Sequence, residues 1–214
     1  MPTYAACLID VFDTVLSVDR RRHVAGIAEL VGVPVADFTA AAQAWGPAIG
    51  DGRVSLAEVI RAVLRDGGRD PSDTEVADLV VADLRLQQEL VVLYDDVVPF
   101  LQSLRAAGVR TAFVSNCAEN TRPLLDGLGL SGLVDHLVLS CEVGEVKPEA
   151  AIYRRALDRV GAEPGRALFV DDQRSYCAGA ADLGIEAVRI DRFGGSGEVS
   201  TLADLVSESW ISLP

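Results

Sequence analysis

A chain of 214 residues with a formal net charge of −13 exceeds the commonest domain size, so one core with a sizeable insertion, or two unequal domains, is expected. Half of its residues are hydrophobic, enough for a buried core. The negative charge, offset only by the short Arg20-Arg21-Arg22 run, repels phosphate backbones and anionic lipid and argues against nucleic-acid and membrane partners.

The first element is the apolar run Tyr4-Ala-Ala-Cys-Leu-Ile9, which stops at Asp10. That is the form of a buried parallel strand with a polar residue at the carboxyl edge of its sheet. Ligands of open α/β sheets bind at that edge, so Asp10 is the first candidate site residue. The Met1-Pro2-Thr3-Tyr4 start lacks the basic segment of a signal peptide. Residues 17–95 then read as helix. Asp19 caps a helix through Val24, Ile27, Ala28 and Val31, which Gly32 and Pro34 end. A second helix starts at Pro34 and is expected to stop before Gly46-Pro47. Ser55-Leu-Ala-Glu58 is a capping box opening a helix with Val59, Ile60, Val63 and Leu64 on one stripe. Ser72-Asp-Thr-Glu75 is another, opening a helix through Val76, Leu79, Val80 and Leu84 to Leu93.

After Asp96 helix and strand alternate. The pattern predicts a helix over 97–107 capped by Gly108, a strand over 109–114, and a helix over 119–128 interrupted near Pro123. It continues with strand 136–140, helix 148–160, strand 167–170, helix 175–183, strand 186–190 and a closing helix at 200–209. Repeated right-handed crossovers give a parallel sheet covered on both faces. The expected fold class is therefore α/β: a Rossmann-like five-stranded parallel core of residues 1–16 and 96–214, with an α-helical cap of residues 17–95 inserted after strand one. No apolar stretch reaches transmembrane length. Cys7, Cys117, Cys141 and Cys177 form no CxxC pair, so free thiols in a reducing cytoplasm are expected rather than a zinc site or disulfides.

Three further features end as the first strand does. Ser115-Asn116 follows Thr111-Ala-Phe-Val114, Lys147-Pro148 follows Glu142-Val-Gly-Glu-Val146, and Asp171-Asp172 follows Ala167-Leu-Phe-Val170. Each has a bland reading by itself: a turn pair, a solvated loop lysine, a helix-capping turn before Ser175. As a set, Leu8-Ile-Asp10-Val-Phe-Asp-Thr14, Phe113-Val-Ser115-Asn116, Gly144-Glu-Val-Lys147-Pro148 and Leu168-Phe-Val-Asp171-Asp172 resemble, in order and context, the four motifs of the haloacid dehalogenase-like (HAD) hydrolase superfamily. The resemblance extends over essentially the whole chain. It is greatest to the helical-cap branch that includes the phosphatase domain of soluble epoxide hydrolase and bacterial glucose-1-phosphate phosphatases, which the cap phrase Gly52-Arg-Val-Ser-Leu-Ala-Glu-Val59 also resembles.

The resemblance implies a sheet with strand one central, strands two and three on one side and four and five on the other, which brings the motifs together. It implies Asp10 as the nucleophile that forms an aspartyl ester later hydrolysed by water. Mg²⁺ would be held by Asp10, the backbone carbonyl of Phe12 and Asp172, with Asp171 as co-ligand or orienting group. Lys147 would bridge Asp10 and the transferred group, while the Ser115 hydroxyl and the Asn116 backbone N–H hold its remaining oxygens. The substrate implied is a small phosphorylated molecule.

The pattern departs from that of the family's phosphatases at Phe12, where they commonly carry a second Asp as acid and base, a contribution of about 10²- to 10⁴-fold in rate. Asp13, where Gly is usual, is a possible substitute. Three readings follow: a phosphatase that manages without this acid, a 2-haloacid dehalogenase-like carbon–halogen hydrolase, or a weakly active phosphate-binding homologue. Dehalogenases share an aromatic residue at the Phe12 position, but Asp171-Asp172 would crowd a metal-free carboxylic-acid site with charge. Retention of Asp10, Lys147 and Asp172 argues against a binding role alone. Among other residues, Phe38 and Trp45 suit cap core better than a substrate slot, and Arg53 an exposed loop better than a phosphate anchor. Cys117 suits packing, and Gly179-Ala180 a close helix–sheet approach. His23 and His136 sit in no recognisable catalytic arrangement. Monomer and homodimer are both open.

Overall fold

The computed structural model describes residues 4–194 and 196–212. In chain order it contains β1 (Ala6–Ile9), β2 (Leu16–Val18), α1 (Arg20–Val31), α2 (Val35–Gly50), α3 (Leu56–Asp66), α4 (Asp73–Leu90) and β3 (Val91–Leu93). There follow α5 (Val97–Ala106), β4 (Arg110–Ser115), α6 (Thr121–Gly127), β5 (His136–Leu139), α7 (Ser140–Val143) and α8 (Ala150–Val160). A 3₁₀ turn (Pro164–Arg166), β6 (Ala167–Asp171), α9 (Arg174–Ala181), β7 (Glu186–Arg189) and α10 (Asp204–Ser207) complete it.

The strand order is β5-β4-β1-β6-β7, all parallel, with the first strand central as the motif order implies. Parallel strands buried on both faces read as unbroken apolar runs, and β1 and β6 are buried at every position. Ile9 pairs with both Phe113 and Val170. Asp10, Ser115 and Asp171 therefore stand together at the carboxyl ends of three adjacent strands. One face of the sheet packs Ile9, Phe113 and Val170 against Phe100, Leu104 and Leu124. The other packs Leu8, Val114 and Phe169 against Ile152, Tyr153 and Ala180.

Helices α1–α4 build a separate apolar cluster around Ile27, Val31, Phe38, Ile60, Leu64 and Val76. Burying each large side chain of this kind contributes roughly 1.5–3 kcal/mol. The caps expected from sequence are present: Asp19 accepts from the Arg22 N–H at 3.0 Å, and Ser55 and Glu58 complete a reciprocal box. At Ser72 only half of a box forms, because the Glu75 carboxylate turns to Arg69. Gly32, at φ +76°, ends α1 in the left-handed conformation.

Several boundaries differ from expectation. Helix α2 continues through Gly46-Pro47 to Gly50: a proline lacks only its own donor, and the turn that follows is closed by the Asp51 N–H to the Pro47 carbonyl at 3.1 Å. Helix α4 stops at Leu90, and Val91–Leu93 forms an antiparallel ribbon with Leu16–Val18. The paired β-branched residues Val91-Val92 favour extension. This ribbon closes the base of the helical insertion. Strand β5 ends at Leu139, where Ser140 opens a short helix, and the closing helix covers only Asp204–Ser207.

The helical unit is seated on the sheet domain by polar contacts. The Ser140 hydroxyl donates to the Gly50 carbonyl at 2.5 Å, and the Leu56 N–H donates to Glu119 at 3.1 Å. Among the described residues no single helix is long and apolar enough to cross a membrane; α1 and α2 pass that test only as a pair bent by 108°.

Candidate active site

Asp10 leaves β1 with its N–H bonded to the Val170 carbonyl at 2.9 Å and its side chain buried at the strand end. Lys147, with no exposed side-chain surface, places its ammonium 2.5 Å from Asp10 Oδ1 and 2.6 Å from Asp171 Oδ2. The same nitrogen lies 4.9 Å from the Tyr176 ring centroid and 5.6 Å from that of Phe169. A buried lysine in this setting is a fixed positive charge. Burial works against its charged form, yet Asp10 and Asp171 outweigh burial and raise its pKa.

The loop carrying Lys147 is locked to the end of β4. The Asn116 amide donates to the Lys147 carbonyl at 2.9 Å and accepts from the Lys147 N–H at 2.8 Å. The side chain of Asn116 is thus occupied as a clamp between two motifs, a role that the sequence reading, concerned with its backbone N–H, did not foresee. Gly179 supports the loop from behind: a Cβ there would lie 2.6 Å from the Pro148 carbonyl oxygen. Close packing at Gly179 was expected, but its partner is this loop.

Asp10, Asp171 and Asp172 each present an oxygen within 4.8 Å of the others. One ammonium cannot neutralise three carboxylates. Burial, then the charge of Asp10, pushes Asp171 up to about 7 despite Lys147 and the Gln173 N–H that Asp171 accepts at 2.8 Å. Burial, then Asp10 and Asp13, pushes Asp172 up to about 6. Such a cluster of hard oxygen donors is matched to a small divalent cation. The Ser115 hydroxyl is fully buried and has no hydrogen-bond partner among the described residues. A buried orphan beside this cluster is suited to an oxygen supplied by a ligand.

Phe12 lies half-buried against the core and lines a cavity of about 230 Å³ together with Val18, Arg20, His23, Gln87 and Asn116. Asp13 occupies the left-handed region at φ +58°, and its carboxylate is turned to Arg20 at 3.3 Å. A second cavity of about 510 Å³ lies between Gly46, Pro47, Gly50 and Asp51 on one side and Asn116, Cys117 and Glu149 on the other. Arg53 pairs with Asp51 and is largely exposed, Phe38 is buried in the helical cluster, and Trp45 is exposed rather than core. Cys117 is buried, and all four cysteines are free.

Sequence reasoning missed two groups. Arg192 is buried beyond β7; it donates twice to the Thr14 carbonyl, pairs with Asp96 at 2.9 Å and stacks 4.3 Å from the Tyr94 centroid. It thereby ties the loop after Asp10 to the start of α5. His23, whose Nε2 lies 2.7 Å from the buried Asp83, is the other. Neither stands in a motif; only the spatial neighbours reveal them.

A Rossmann-like sheet carrying a lysine-bridged carboxylate cluster at its strand ends, under a helical insertion, defines the class. The chain belongs to the haloacid dehalogenase-like hydrolase family, whose model matches residues 4–184. It is 34% identical over 132 residues to glyceraldehyde 3-phosphate phosphatase of Methanopyrus kandleri, a match covering 61% of this chain and 57% of that protein. It is 33% identical over 108 residues to (S)-2-haloacid dehalogenase 1 of a Pseudomonas species, covering 50% and 48%. The matches thus span about half the length of these relatives. A HAD-family enzyme of Bacteroides thetaiotaomicron, crystallised with magnesium and inorganic phosphate, shares the fold with a TM-score of 0.71 at 19% identity, over 90% of this chain and 96% of that one.

Proposed function

We propose that the protein is a Mg²⁺-dependent phosphatase acting on a small phosphorylated metabolite through an aspartyl-phosphate on Asp10. The observation that carries this reading is the position of Lys147 between Asp10 and Asp171, with Asp172 completing a cation-ready cluster. Residues 17–95 are read as the cap that closes over the substrate and residues 1–16 and 96–214 as the catalytic domain, of which residues 1–3, 195, 213 and 214 lie outside the described structure. A reducing cytoplasm, suited to the free thiols, belongs to the same reading.

Asp10 Oδ attacks phosphorus in line, and the P–O bond to the leaving group breaks. Lys147 holds Asp10 in place and offsets the repulsion between its carboxylate and the phosphate dianion. The Ser115 hydroxyl donates to a phosphoryl oxygen, and the Asn116 clamp fixes Lys147 relative to Ser115. Asp10, Asp172 and the Phe12 carbonyl, with Asp171 alongside, would hold Mg²⁺, which when bound would supply Lewis-acid neutralisation of phosphate charge. Water then cleaves the aspartyl-phosphate and restores Asp10. Phe12 by itself would also suit carbon–halogen hydrolysis, but three clustered carboxylates disfavour an anionic haloacid.

The test is phosphate release from a panel of sugar, alkyl and acyl phosphates with and without Mg²⁺, for wild type and Asp10→Asn. Release that requires Mg²⁺ and is lost in Asp10→Asn is expected. Halide release from 2-haloacids, without phosphate release, would overturn the reading.

A further inference from the structure

The phosphatase reading leaves one position chemically empty, because Phe12 stands where a proton donor and acceptor is needed. The cavity bordered by Phe12 and Asn116 is bordered from the helical side by His23, Gln87 and Arg20. Arg20 is mostly exposed and faces Asp13. His23 differs: it is held by Asp83, a carboxylate only 2% exposed. Asp83 also accepts from Asn120 at 2.6 Å and from Gln87 at 3.4 Å. These donors come from α1, α4 and the segment before α6, so the buried carboxylate pins His23 to both the helical unit and the sheet domain.

A carboxylate bonded to one imidazole nitrogen fixes the orientation of the ring and which nitrogen faces the ligand. Here Nε2 is taken by Asp83, and Nδ1 has no hydrogen-bond partner among the described residues. His23 is one-fifth exposed, at 21%, and that exposure accompanies its place on the cavity wall. The cavity borders Phe12, the residue two after Asp10, and Asn116, the residue after Ser115, so it lies beside the candidate reacting centre.

We infer that His23, oriented by Asp83, is the group that protonates the leaving oxygen from the cap, in place of the carboxylic acid that Phe12 does not provide. In the first step an Asp10 oxygen bonds to phosphorus, the P–O bond breaks with its electron pair passing to the leaving oxygen, and the Nδ1 proton of the imidazolium passes to that oxygen. In the second, water adds to phosphorus as the Asp10 bond breaks, and the water's proton returns to Nδ1. No outside oxidant or reductant is needed. His23 is thus a catalytic residue, and Asp83, which acts through it, a positioning residue.

The inference rests on the phosphatase reading, and its test separates the two. His23→Gln keeps a donor for Asp83 but cannot transfer a proton; Asp83→Asn loosens the ring. Both are compared with wild type on an alkyl phosphate, whose leaving group needs a proton, and on p-nitrophenyl phosphate, whose leaving group does not, with thermal melting to verify folding. The expected loss in kcat/KM for His23→Gln on the alkyl phosphate is about 100-fold, within the range for general acid catalysis. It should exceed the loss on p-nitrophenyl phosphate by about tenfold or more, and Asp83→Asn should show the same bias in weaker form. Equal losses on both substrates, or none, would overturn the role of His23 and leave it a brace between cap and core. Absence of phosphate release by wild type from every compound would instead overturn the phosphatase reading, and this inference with it.

Discussion

At the scale of single residues, the site contains a polar atom that the free protein leaves unused. The Ser115 hydroxyl is buried and unpaired among the described residues, so in the absence of substrate it bears a desolvation cost with no compensating bond. Ser115→Ala should therefore leave the melting temperature unchanged or slightly raised, while kcat/KM for phosphate esters falls by roughly 10- to 100-fold through loss of one phosphoryl contact. Calorimetry beside initial rates checks both halves; a marked fall in stability would mean that the hydroxyl has an internal partner. Three of the candidate residues, Asp10, Ser115 and Asp171, were legible in sequence because each sits where an apolar run stops, and strand register turns that pattern into proximity. Asp10, Ser115 and Asp171 needed only the parallel pairing of β1 with β4 and β6. His23 was not legible, because its importance depends on Asp83, sixty positions along the chain, and no local pattern joins them.

At the scale of elements, the seam between the helical unit and the sheet domain depends on a backbone that only glycine follows easily. Gly52 sits at φ +74°, and a Cβ there would lie 2.0 Å from the Cys141 carbonyl oxygen in α7. Gly52→Ala incurs the left-handed penalty of about 1–2 kcal/mol, and in addition pushes the α2–α3 loop off the domain that it seats on. Gly68 is a matched control, with φ +79° and nothing within 4 Å. Gly68→Ala should lower the melting temperature by only about 2–8 °C, the shift that such a backbone penalty gives in a chain of this size, with activity retained. Gly52→Ala should show a larger drop together with a raised KM; equal behaviour of the two would show that the seam does not position the cap. Helix starts were well read from sequence because a cap is a local hydrogen bond, as at Asp19 and Ser55. Helix ends were read less well. Pro47 is tolerated inside α2, and Val91–Leu93 becomes a strand because Leu16–Val18 lies beside it, which is tertiary information.

At the scale of the whole molecule, the acidic cluster couples folding to protons and, on the proposed reading, would couple it to Mg²⁺. Asp171 and Asp172 have folded-state pKa values of about 7 and about 6, both above the ordinary carboxylate value of 3.8. The folded chain therefore holds protons that the unfolded chain has released, and stability from these groups falls as pH rises between about 4 and 7. Carboxylates with lowered values, such as Glu145 beside Arg155 and Asp135 beside the Thr111 N–H and Arg110, act in the opposite direction, but their contribution is fully present once pH exceeds the ordinary carboxylate range and is lost only on further acidification. Imidazoles also ionise between pH 5 and 8, so the contribution of the cluster is read there as the difference between wild type and Asp172→Asn. In chelator the protein should melt at a lower temperature at pH 8 than at pH 5.5. On the proposed reading Mg²⁺ would bind the ionised cluster in competition with its protons, so added Mg²⁺ should raise the melting temperature more at pH 8 than at pH 5.5. Asp172→Asn should flatten the chelator profile and remove most of the Mg²⁺ effect. A chelated protein equally stable at both pH values, or Mg²⁺ stabilisation that is independent of pH, would show that these carboxyls do not share protons as their burial around a single lysine requires.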